Sequence, residues 1–135
     1  MAEQYRALIF DPKTFSERIP ENCIVLDLSN TFNHDCKGAK NANITSVVHY
    51  DAQRHDEIMN SIVNYCKRNG FQVVVHGYKV GRNEEDKTAA VLKHLAKHNV
   101  HFVHSLSKTQ LERLSTEPTA QLVAGEVLLF STKNL

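Results

Sequence analysis

Two apolar runs restrict this chain more than anything else in it: Cys23-Ile24-Val25-Leu26-Asp27-Leu28 and Gln72-Val73-Val74-Val75-His76. Neither alternates apolar with polar residues, as a strand with one wet face would. Both have strand length and β-branched content, so each is expected to be a strand covered on both faces, the usual state of central strands in a parallel sheet. Parallel neighbours need long crossovers, and the sequence supplies them. From Asp51 to Lys67 the residues Ile58, Ile62, Val63 and Cys66 form one apolar stripe, with Gln53, Arg54, Asp56, Glu57, Asn60, Ser61 and Asn64 opposite. That pattern predicts an amphipathic helix. Lys67 and Arg68 suit its negative end, and Gly70 suits the left-handed residue that terminates it.

The second run leads into Gly77-Tyr78-Lys79-Val80-Gly81-Arg82, and then into a helix predicted from Asn83 to about His98. Asn83 is a good cap, Glu84, Glu85 and Asp86 fill the first turn, and Ala89, Ala90, Val91 or Leu95, Leu92 and Ala96 make the buried face. A loop that joins a strand's carboxyl end to a helix is where open α/β sheets gather ligands, because the helix's first free N–H groups point into the crevice there. This loop is therefore the candidate site.

Around this centre the chain predicts an entry strand at residues 4–10 and a short helix from Asp11 and Pro12 to Arg18. A long ordered loop runs from Ser29 to Asn43, with a minor strand at Ile44–His49. A third strand is expected at Val100–His104. Ser105 is read as opening a short helix before Pro118, and Gln121–Ser131 as a last strand or an extended tail. Strands and helices at this spacing imply an α/β fold, a three-layer α/β/α arrangement with a mostly parallel central sheet and right-handed crossovers.

At 135 residues one domain is expected, large enough to bury about two-thirds of its unfolded surface. No apolar run approaches the roughly 20 residues that span a bilayer, and Met1–Phe10 holds no basic stretch ahead of an apolar one. Three cysteines, Cys23, Cys36 and Cys66, are odd in number and show no C-x-x-C spacing, which argues against a disulfide framework and a cysteine-rich metal site. A cytoplasmic or nuclear, reducing location is expected. The formal charge of +1 supplies no field toward nucleic acid or acidic lipid, so neither is expected as a partner. No cofactor is implied.

In their order, three stretches resemble a rhodanese-like domain, the fold shared by sulfurtransferases, cell-cycle phosphatases and the amino-terminal regulatory domains of MAP-kinase phosphatases. Ile24-Val25-Leu26-Asp27 resembles the family's first-strand V-L-D-V-R pattern, with Ser29 where Arg is frequent. Cys36-Lys37-Gly38-Ala39-Lys40-Asn41 resembles its H-I-x-G-A-x-N turn, with Asp35 where His is usual. Val73-Val74-Val75-His76 and the six residues after it resemble a V-V-x-Y strand and the active-site loop C-x-x-x-x-R. The resemblance spans roughly residues 8 to 115 and implies a domain at 1–117. Residues 118–135 are then an extension or the start of a following domain, because Pro118–Leu135 resembles the stretch that opens a dual-specificity phosphatase.

The departure from this pattern carries the functional expectation. Active members place a cysteine thiolate first in the loop, held by backbone N–H groups and the helix dipole. Here Gly77 stands there, and Tyr78, Lys79, Val80 and Gly81 offer no evident replacement. Glu84, Glu85 and Asp86 would also offset the helix's positive end. The resemblance thus implies a catalytically inactive regulatory domain that binds a protein, a MAP kinase or an adjoining phosphatase domain, in signalling. Two alternatives are a sulfurtransferase- or phosphatase-type enzyme working through Cys36 or another residue, and a small-anion or metal sensor.

Single residues carry two readings each. The resemblance implies an anion clamp for Arg82, whose guanidinium equally suits a bond back to loop carbonyls or Glu85. For Lys67, Arg68 and Lys79 the resemblance to the basic cluster of MAP-kinase phosphatases implies docking of an acidic groove on a kinase, and the first two also suit a dipole-matched helix end. Tyr78 suits an interaction anchor or packing on its own loop. His94 and His98, four apart on a helix, have metal-ligand spacing, but with His101 and His104 they are read as surface histidines. Cys66 is read as a buried hydrophobe.

Overall fold

The structure, a computed structural model, describes residues 9–10, 21–35, 44–79 and 87–105. Their sheet contains β1 (Ile9–Phe10), β2 (Cys23–Asp27), β3 (Ile44–His49), β4 (Gln72–His76) and β5 (Phe102–Ser105), in the spatial order β1-β5-β4-β2-β3. Every neighbouring pair is parallel. The two apolar runs lie side by side as β2 and β4, and both are almost completely buried. The continuous runs thus have the doubly covered position their patterning requires.

Three α-helices, α1 (Phe32–Asp35), α2 (His55–Asn69) and α3 (Lys87–Lys97), and a 3-10 turn at Ala52–Arg54 complete the described chain. From β3 to β4 and from β4 to β5 the chain steps across the sheet in one direction, whereas β2 to β3 steps in the other. Residues of α2 and α3 pack on one face of these strands, and Phe32 of α1 packs on the other. The core divides accordingly. Ile24, Leu26, Val73, Val75 and Phe102 pack with Ile58, Met59 and Ile62 of α2 and Val91, Leu92 and Leu95 of α3. Cys23, Val25 and Val74 pack with Phe32 of α1 on the other side. Alternation along each strand produces this split.

Helix α2 ends as its composition predicts. Gly70 has φ of 70° and its N–H bonds the Cys66 carbonyl, with Lys67 and Arg68 in the preceding turn. Several expectations shift. The stretch after Ser29 contains the four-residue α1, because the Asp27 carboxylate accepts from Thr31 N at 3.2 Å and Phe32 N at 3.0 Å and so starts a helical turn without any periodicity in the segment. On α3, Thr88 is buried and Ala90 is exposed. Ser105 ends β5, one residue past the predicted strand end, and pairs with His76; the helix expected after it lies outside the described residues. The predictions for residues 4–8, Asp11–Arg18, 36–43, 83–86 and 106–135 lie outside the described residues.

Candidate functional site

The crevice follows from the topology. The exit of β2 turns to the α1 face and the exit of β4 turns toward α3, so the carboxyl ends of these adjacent strands diverge, the position where open parallel sheets bind ligands. The floor is one row of paired residues across the sheet: His49, Asp27, His76 and Ser105, from β3, β2, β4 and β5. Asp27, His76 and Ser105 are fully buried. The His76 Nδ1 lies 3.2 Å from the Ser105 Oγ, and the Phe32 ring meets His76 edge-on at 5.5 Å. The Asp27 carboxylate, besides capping α1, lies 3.4 Å from Nδ1 of the exposed His49.

An acid, a histidine and a serine in one row invite comparison with nucleophilic catalysis. Asp27, however, spends its oxygens on backbone amides and His49, and none of the three side chains meets solvent. The row therefore acts as a buried frame that fixes where the loops leave the sheet. Sequence reading missed it because its paired members are 22 to 49 positions apart and only strand register aligns them.

Above this floor the loop begins at Gly77, buried and with φ of 84°, a left-handed conformation that costs a side-chain-bearing residue about 1–2 kcal/mol. Its three described amides are all bonded within the protein. Gly77 N donates to the Ser105 carbonyl at 2.7 Å, Tyr78 N to Ser29 Oγ at 3.2 Å, and Lys79 N to Thr88 Oγ1 at 2.6 Å. Thr88 N returns a bond to the Lys79 carbonyl at 3.1 Å, which clips the loop to the first turn of α3. The Gly77 carbonyl accepts from His104 Nε2 at 2.7 Å. A carbonyl only accepts, so Nε2 carries the proton and Nδ1 is bare, without a hydrogen-bond partner among the described residues. Burial, with His76 nearby, pushes His104 down to about 4 against the upward pull of its bond to Gly77.

The remaining predicted site residues separate in space. Tyr78 packs against the core cluster of α2 and α3, so it supports its own loop. The Lys79 ammonium lies 5.8 Å from the centre of the Tyr50 ring. Val80, Gly81 and Arg82 lie outside the described residues, as does Cys36. Lys67 and Arg68 are exposed in the last turn of α2, before β4, whereas Lys79 follows β4. The length of that strand, roughly 16 Å, puts the pair and Lys79 at opposite ends of the sheet. Lys67 instead borders a cleft of about 270 Å³ with Cys66, Gly70, Phe71, Asn99 and His101.

Burial raises the Cys66 thiol to about 11, and burial together with Cys66 raises Cys23 to about 12, so neither is a ready nucleophile. Among the described residues no group of three His, Cys, Asp or Glu side chains is arranged to hold a metal ion, and no helix is long and apolar enough to cross a membrane. No family model, curated protein or solved structure matches the chain. The structure itself establishes a parallel α/β fold with the loop at its switch point.

Proposed function

We propose that this chain is a non-catalytic rhodanese-like domain, a three-layer α/β/α unit that acts in signalling by binding a protein partner, a MAP kinase or an adjoining phosphatase domain. One observation carries the non-catalytic part. At the carboxyl end of β4 the loop opens with a glycine, and the amides of Gly77, Tyr78 and Lys79 are already bonded to Ser105, Ser29 and Thr88. A nucleophile needs a side chain there, and an oxyanion needs free donors. Neither is supplied by these three residues. The buried thiols of Cys23 and Cys66 and the buried Ser105 are no substitute.

Sulfur transfer from thiosulfate to cyanide tests the first part: turnover should not exceed that of a Cys36→Ser variant, and turnover well above that control would sink the non-catalytic reading. Calorimetric titration with a MAP kinase and with a dual-specificity phosphatase domain tests the second. Charge reversal of Lys67 and Arg68 together should abolish the interaction, whereas reversal of Lys79, at the other end of the sheet, should leave most of it. Absence of binding to both proteins would overturn the partner assignment.

A further inference from the structure

Helices α2 and α3 meet not only through aliphatic residues but through a file of imidazoles. The His55 ring, at the start of α2, contacts the His94 ring of α3 edge-on at 6.0 Å, and His94 lies 4.7 Å from His98, one turn further along. Tyr50 extends the file at its other end, its hydroxyl 2.7 Å from His55 Nδ1 and its ring edge-on to His55 at 5.8 Å. The Nε2 atom of His94 is buried without a hydrogen-bond partner among the described residues. A proton placed on that nitrogen would be a charge without an acceptor, beside two groups that can carry the same sign.

We propose that the His55–His94–His98 file is an acid-sensitive clasp: while the rings are neutral α2 and α3 stay packed, and proton uptake by His94 separates them and frees the loop that α3 holds. The link to the loop is the Thr88–Lys79 clip at the opposite end of α3. The charged and titratable groups around His94 are His55 and Asp56 of α2, Lys97 of α3 and His98 just after it, with Tyr50 and Asp51 beyond His55. Asp56 alone favours the charged ring among the groups acting directly on His94. Burial first, then His98, His55 and Lys97, outweigh it and hold His94 below the ordinary value of 6.5. The unfolded chain therefore takes up this proton more readily than the folded one, so the clasp is closed above about pH 6.5 and loses stability as pH falls below it. Among the described residues these rings are not arranged as a ligand set for a metal ion.

Hydrogen exchange on the full chain at pH 7.5 and 5.5, corrected for intrinsic rates, tests this. The amides from Val91 to Lys97 should lose protection relative to those of Val73 to Val75 at the lower pH, by at most about tenfold. A His94→Gln variant, neutral at both pH values, should keep it. Equal relative protection at both pH values, or the same loss in the variant, would overturn the proposal. Should the variant not fold, the imidazole NMR titration of the unaltered protein decides: a His94 midpoint below 6.5 supports the clasp, and one at or above 6.5 refutes it. Zinc added at pH 7.5 should leave these ring signals in place; their stoichiometric shift would assign the cluster to a metal instead.

Discussion

Gly77 and His104 show how one loop position depends on a residue 27 places away. The glycine was visible in the sequence, at the position where the resemblance expects a nucleophile, but its carbonyl partner was not. His104 read as a surface histidine, yet it is fully buried. Alternation in a short strand says which residues share a face but not which face a loop will cover, and His104 lies on the side that α2 and α3 cover. Its value of about 4, against 6.5 for the exposed ring, means that the unfolded state binds the proton first. Stability should therefore be complete above about pH 6.5 and decline as pH falls toward 4, by on the order of 3 kcal/mol from this residue. Urea titrations across that range check it. His104→Gln keeps a donor for the Gly77 carbonyl and should flatten that part of the slope; an unchanged slope would assign the acid sensitivity elsewhere.

At the scale of elements, the regular pieces were legible and the irregular ones were not. The stripe of Ile58, Ile62, Val63 and Cys66 is the buried face of α2, with Met59 added, because a 3.6-residue period is local information. Gly70 was equally plain as a stop signal. A Cβ built at Gly70 meets nothing within 4 Å, so the whole effect of Gly70→Ala is the strain of φ at 70°. The variant should cost about 1–2 kcal/mol with the denaturant slope unchanged. A loss beyond about 3 kcal/mol would mean that packing is involved. By contrast, α1 depends on a carboxylate in β2, and the start of α3 is tied to Lys79 by Thr88, so neither follows from its own periodicity.

Across the whole molecule, β2 and β4 carry the sheet, and Leu26 on β2 is fully buried between the strands and the two long helices. Leu26→Ala should cost about 2–5 kcal/mol, a large part of the roughly 5–15 kcal/mol that stabilises a domain of this kind. A melting temperature close to the parent's would show that this face of the core is looser than its burial indicates. The sequence by itself determined the covered central strands, the amphipathic crossovers and the glycine that follows β4, since each depends on neighbours within a few turns of chain. Only the tertiary structure decided the strand order, the row of His49, Asp27, His76 and Ser105, the bonds that occupy the loop amides, and the separation of Lys67 and Arg68 from Lys79. These depend on register and crossover direction, which are set by the packing of residues tens of positions apart and leave no periodic mark in the chain.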